Sequence, residues 1–300
     1  MHLTTEKELK HMTELTTIDT NNYAEMAKAM GIANEASSQT KQGIFLARLR
    51  LNHSPILGAD SVLVKAGTYK LEMPDKGPIY YAESAIMRPF LTRLMYKKFV
   101  KATQSKPNHY VKTVMADTLN MDLKDNDGGF NCGKPAGWIE DFNSLPDATK
   151  DLIRSIKRVR VVIGMVELIN PKDANGNDVE IETIPFIWEV ENRDAFKTIG
   201  NIFTKLAKMK RLPVQHSVTL NSEEHKLPNG SSFYLPLTSM DVTETIDLTQ
   251  DDQQKFADFM TWVSNYNEYI INTYAEKATS KQDEDLDAID VDDLIEQEVA

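Results

Sequence analysis

Residues 157–168 read KRVRVVIGMVEL, a run rich in valine and isoleucine that suits a pleated, packed surface far better than a helix. It predicts a strand at the centre of a sheet. NPKDANGND, with Asn175-Gly176 at its middle, reads as a turn, and VEIETIPFIWEV returns as the partner, so residues 157–191 are expected to form a hairpin. A later hairpin joins VQHSVTL to FYLPLTS through LPNGSS, where Asn229-Gly230 again fits a tight turn. From Ile44 onward, IFLARLRL, SVLVKAG, TYKLEM and IYYAESAIM are short β-type runs, separated by HSPILGAD and PDKGP, whose Pro and Gly interrupt pairing. The class that follows is α+β and β-rich, with an antiparallel sheet or barrel.

Three helices complete the pattern. LPDATKDLIRSI is a short one, with Asp147 and Thr149 suited to its first turn. NRDAFKTIGNIFTKLAKMKR runs from an Asn192 cap to a stop at Pro213. It turns Phe196, Ile199, Phe203, Leu206 and Met209 inward and Lys197, Lys205, Lys208, Lys210 and Arg211 outward. Cations late in a helix also suit its macrodipole, so that cluster by itself points weakly to a polyanion. The last helix spans Thr249 to about Tyr274. Thr249 and Asp252 stand at capping-box spacing, and Phe256, Phe259, Met260, Val263, Ile270 and Tyr274 form a stripe that should dock on the sheet. Residues 1–43, with helix-compatible NYAEMAKAMGI and polar NEASSQTKQG, are read as an N-terminal arm and linker, and residues 44–277 as a β-rich nucleic-acid-binding domain. Residues 278–300 are read as an acidic tail, disordered because it buries too little apolar area to offset chain entropy.

Charge is unevenly placed. The formal net charge is -11, yet residues 283–300 hold nine of the 45 acidic residues and none of the 34 basic ones, so the rest is close to neutral. Within it, residues 86–116 contain no acidic residue and seven basic ones: Arg88, Arg93, Lys97, Lys98, Lys101, Lys106 and Lys112. Phe90, Tyr96, Phe99 and Tyr110 are interleaved with them, cations suiting phosphates and rings suiting unpaired bases. The stretch reads as a hairpin bent at SKPNH. Its alternation is imperfect, since Arg88, Tyr96 and Lys98 share one parity and Arg93, Lys97, Phe99 and Lys101 the other; a bulge or a strong twist would reconcile them. Lys157, Arg158 and Arg160 add basic positions at the start of the central strand. The Gly-rich segment 117–137 reads as a loop presenting Phe130, Lys134 and Trp138 near the basic hairpin.

Catalytic signatures are absent: no phosphate-binding loop, no G-x-G-x-x-G, no H-E-x-x-H and no G-x-S-x-G elbow. The six histidines show no ligand spacing. Around Gly128 an EF-hand would place Leu123 and Lys134 where carboxylates are required, so no metal site and no cofactor are expected. Asp117, Asp122, Asp125 and Asp127 are the carboxylates a metal-dependent nuclease would draw on, and that is the enzyme alternative. Cys132, the single cysteine, excludes an internal disulfide and a Cys-based zinc site, and no activating group can be named for it as a nucleophile. With no apolar run near the roughly 18 residues of a membrane span, and a polar start in MHLTTEKELKHMTEL, a cytoplasmic protein without a membrane partner is expected.

The order of these parts, the tail DEDLDAIDVDDLI, and the stretches MADTLNMDLKDNDGGFNCGKPAGW and FIWEVENRDAFKTIGNIF resemble the replication single-stranded DNA-binding proteins of tailed phages, over about residues 44–300. Where that family usually ends in an aromatic residue, this chain ends Glu298-Val299-Ala300. The resemblance implies an oligonucleotide-binding barrel. It also implies non-enzymatic, sequence-tolerant binding of single-stranded DNA in phage replication or recombination, in the host cytoplasm. Phosphate contacts are then expected from Arg88, Arg93, Lys97, Lys98, Lys112, Lys157, Arg158 and Arg160, with Lys134 beside them, and base stacking from Tyr96, Tyr110, Phe130 and Trp138. The tail residues Asp283, Glu284, Asp285, Asp287, Asp290, Asp292, Asp293, Leu294 and Ile295 would compete with DNA for the basic groove and, once displaced, contact the replicative polymerase and helicase-primase. A homo-oligomer is compatible with these features and not specified by them. The rival class is a structural or assembly protein making protein contacts.

Overall fold

The computed structural model describes residues 44–103, 107–135 and 139–287, with side chains to residue 279. The expected N-terminal arm, Lys106, Trp138 and the tail from Asp290 to Ile295 lie outside the described residues, as do the side chains of Asp283, Glu284, Asp285 and Asp287. In order come β1 (Ala47–Leu51), β2 (Ile56–Leu57), β3 (Val62–Val64), β4 (Tyr69–Glu72), β5 (Ile79–Ala82), β6 (Ser84–Val100) and β7 (His109–Lys112). They are followed by α1 (Asp147–Ser155), β8 (Ile156–Ile169), β9 (Ile184–Val190), α2 (Arg193–Lys208), β10 (Val218–Lys226), β11 (Ser232–Ser239) and α3 (Gln250–Asp287). No described helix is long and apolar enough to cross a membrane.

Nine strands form one mixed, mostly antiparallel sheet in the order β11-β10-β6-β8-β9-β1-β4-β5, with β7 also paired to β6. The valine-rich β8 lies between β6 and β9, and β1 joins β9 as a parallel pair. Both Asn-Gly turns are present, with Gly176 at φ 84° and Gly230 at φ 83°, a backbone region that glycine enters without a Cβ clash. In β6 the register passes from Pro89 opposite Gly164 to Leu91 opposite Ile163, leaving Phe90 as a bulge. That extra residue resolves the mixed parity. Arg88, Arg93 and Lys97 now oppose Met165, Val161 and Lys157 on one face, while Tyr96 and Lys98 oppose Arg158 and Ile156 on the other.

Each face has its own core. On one, Leu49, Tyr69, Met87, Val162, Phe186, Trp188 and Leu220 pack with Ile199, Ile202 and Leu206 of α2. Phe196 and Phe203 sit at the margin of this cluster, and Met209 is exposed instead of inward. On the other, Phe90, Leu91, Met95, Val161 and Ile163 pack with Phe259 and Val263 of α3. A smaller cluster joins Tyr96, Val111, Leu123, Cys132 and Ile156. The sheet curls around the α2 face until Tyr69 Oη donates to the Asn221 carbonyl at 2.8 Å and Ser222 Oγ to the Gly67 carbonyl at 2.6 Å. These are side-chain contacts between strands far apart in the sheet. Among the described residues no ladder joins β11 to β5, so the sheet is open where a closed barrel was one of two expectations.

Candidate nucleic-acid interface

β1 reads ARLRL, and strand alternation puts Ala47 and Leu49 into the α2-side core while Arg48 and Arg50 emerge on the α3 side, both exposed. Across the sheet, β6 and β7 set Lys97 opposite Lys112 and Phe99 opposite Tyr110. Between them lie two adjoining depressions of about 410 and 590 Å³ that share Arg48, Lys112, Ile187 and Glu189. The smaller adds Arg50, Lys97, Tyr110 and Glu191; the larger extends to Phe45 and Trp262. Phe99 is 46% exposed and Tyr110 49%, and their ring centroids are 5.2 Å apart at 56°. Lys97 Nζ lies 4.5 Å from the Tyr110 centroid, a cation–π contact.

The inner lysines of this trough are already paired. Lys97 Nζ donates to Glu189 Oε2 at 2.8 Å and Glu191 Oε1 at 2.5 Å, and Lys112 Nζ to Glu189 Oε1 at 2.9 Å. Burial would raise the Glu189 carboxyl, but the Lys112 and Lys97 ammonium groups outweigh it and hold the group down at about 2. For Lys97, burial favours the neutral amine, and Glu189 and Glu191 reverse that, raising its pKa. Farther out, Arg50 lies 3.5 Å and Lys70 2.7 Å from Glu72. Arg48 and Lys157 are exposed, and Arg48, opposite Glu72 across β1 and β4, adds to the positive charge that holds that carboxyl down. Six cations (Arg48, Arg50, Lys70, Lys76, Lys97, Lys112) therefore face four carboxylates (Glu72, Asp75, Glu189, Glu191), with Lys157 next to Lys97.

The other sequence-predicted residues are dispersed. Arg88 makes a bidentate pair with Asp252 at 2.8 and 3.0 Å and donates to the Val214 carbonyl, joining β6 to α3. Arg93 reaches Asp117 at 3.0 Å. Tyr96 is buried, Lys98 donates to the Cys132 carbonyl, and Lys134 Nζ lies 5.9 Å from the Tyr96 ring, all on the side of the sheet away from the trough. Arg158 and Arg160 lie over Phe196 at 5.9 and 4.6 Å, Arg160 against the backbone of α2 at Gly200. Phe130 rests on Tyr274 of α3, with centroids 5.4 Å apart. Lys97, Tyr110, Lys112 and Lys157 are thus brought together, and the remaining described ones are not. Sequence reasoning missed Phe45, Arg48, Arg50, Glu189 and Glu191 as parts of one surface. The alternation in ARLRL was a signal for the two arginines; the glutamates carried none.

The Gly-rich loop holds itself together through Asp125, which is 2% exposed. Its Oδ1 accepts from the Asp127 and Gly129 amides and its Oδ2 from the Cys132 amide, so both oxygens are occupied by backbone donors. Among the described residues no His, Cys, Asp and Glu group is arranged to hold a metal. Cys132 is buried, and burial, with Asp125 nearby, pushes its thiol up to about 12, so it is held as the inert thiol. Comparison of the chain with protein-family profiles, curated proteins and solved structures gives no match.

Proposed function

We propose that the chain is a non-enzymatic, sequence-tolerant single-stranded DNA-binding protein and that the trough beside β7 is its interface. The carrying observation is the half-exposed Phe99–Tyr110 pair at the rim of a depression lined by Arg48, Arg50, Lys97 and Lys112. Rings left accessible next to cations suit bases that are not paired, because a duplex offers its phosphates and keeps its base faces stacked. The open sheet provides the length over which a strand lies, with Phe45 at the far end, itself 63% exposed. A role in replication or recombination, and recruitment of a polymerase and a helicase-primase by the acidic end of the chain, rest on the sequence resemblance. The nuclease alternative loses support at Asp125, whose carboxylate is already engaged.

The test is an oligonucleotide titration at several salt concentrations with wild-type protein and Tyr110→Ala. Wild type should prefer single over double strands, and its affinity should fall steeply as salt rises. Removing the Tyr110 ring should cost about 1 to 3 kcal/mol of binding. No binding at low salt sinks the reading, and an unchanged affinity in Tyr110→Ala moves the interface elsewhere.

A further inference from the structure

Resting on that reading, we infer that Glu191 sets the affinity of the trough. In the free protein it occupies Lys97, and a backbone phosphate takes its place when a strand binds. The two carboxylates on Lys97 are unequal. Glu189 lies on β9 between two lysines, its side chain 21% exposed, and its departure would leave both Lys97 and Lys112 unbalanced. Glu191 follows the end of β9, immediately before the Asn192 cap of α2, with its side chain 40% exposed and Lys97 as its ion-pair partner. It is the water-accessible end of the network.

A phosphate diester carries the same single charge as a carboxylate and offers equivalent acceptor oxygens, so it can replace Glu191 on Lys97 without leaving the ammonium uncompensated. Tyr110 lies against the same ammonium, which puts the exchange beside a ring available to the adjoining base. Glu191 then moves into solvent as an uncompensated carboxylate, so each binding event carries the cost of its release. That cost lowers the affinity. It also blunts the salt dependence, because the freed carboxylate draws a cation back as the nucleic acid gives one up.

Glu191→Gln removes the competitor and leaves Glu189 on Lys97. Titrated with an oligothymidine across a salt series, the variant should bind roughly three- to tenfold more tightly at low salt. Its log-affinity against log-salt slope should steepen by up to about 0.7. Glu167→Gln, the same charge change at an exposed β8 position outside the trough, is the control and should stay within about twofold of wild type. Thermal unfolding of each variant checks that the sheet is intact. Equal tightening by Glu167→Gln overturns the inference, since net charge would then explain it. So does a Glu191→Gln protein whose affinity and slope match a binding wild type. A wild type that binds no oligonucleotide removes the functional reading and this inference together, a distinguishable result.

Discussion

At Gly164 the sheet leaves no room for a side chain. A Cβ there would lie 2.2 Å from the Arg88 carbonyl oxygen and 2.9 Å from the Pro89 Cα, both backbone atoms of β6 at its bulge. Relief would require moving the strand that carries Arg88 and, farther along, Lys97. Gly164→Ala is expected to cost about 3 kcal/mol, measured by urea unfolding; a loss under about 1 kcal/mol would show that the bulge yields. Residue-level chemistry was legible in the sequence only on one side of each interaction. The basic stretch announced Arg88, Lys97 and Lys112, whereas their partners lie 164, 92 and 77 positions away at Asp252 and Glu189. A local excess of charge therefore looked free and proved largely neutralised by folding. Stacking roles were similarly underdetermined, because Tyr96 and Tyr110 are alike in sequence and one is buried while the other is half-exposed.

Among the elements, those with local signals could be placed in advance. Asn192 accepts from the Asp194 and Ala195 amides, and Thr249 and Asp252 exchange the reciprocal bonds of a capping box. What α3 docks on had no such signal. Asn267 brackets the Met115 backbone, accepting from its amide at 2.7 Å and donating to its carbonyl at 3.0 Å, and so stands where a further strand would pair. Asp252 does double duty, capping α3 and receiving the Arg88 fork. Asp252→Ala should cost roughly 3 kcal/mol, because it removes the cap and strands a mostly buried guanidinium. The double variant Arg88→Met, Asp252→Ala should recover part of that, since no charge is left unpaired. Equilibrium unfolding of the two single variants and the double supplies the cycle. A single-variant cost under about 1 kcal/mol would mean that apolar packing alone holds α3.

For the molecule as a whole, two cores on opposite faces share one sheet, and the lysine–glutamate network ties its strands together at the trough. Lys97 on β6 and Lys112 on β7 both reach Glu189 on β9, bridging strands that are not adjacent. The open edge of the sheet could not be read from strand-like segments, because closure depends on curl and on which distant strands meet. Acid stability follows from the network. Glu189 titrates at about 2 in the fold against an ordinary 4.5, a depressed value, so the unfolded chain binds its proton first as pH falls. Its contribution is therefore complete above about pH 4.5 and disappears as pH drops toward 2, amounting to about 3 kcal/mol. Asp252 and Glu72 are also depressed and act in the same direction. Burial raises each of these carboxyls, and the pairings with Arg88 and with Lys70 and Arg50 outweigh it. Glu189→Gln should lose most of its stability difference from wild type as pH falls, with unfolding free energies diverging at pH 7 and converging near pH 2. Parallel stability curves for the two proteins across that interval would show that Glu189 does not link protonation to folding.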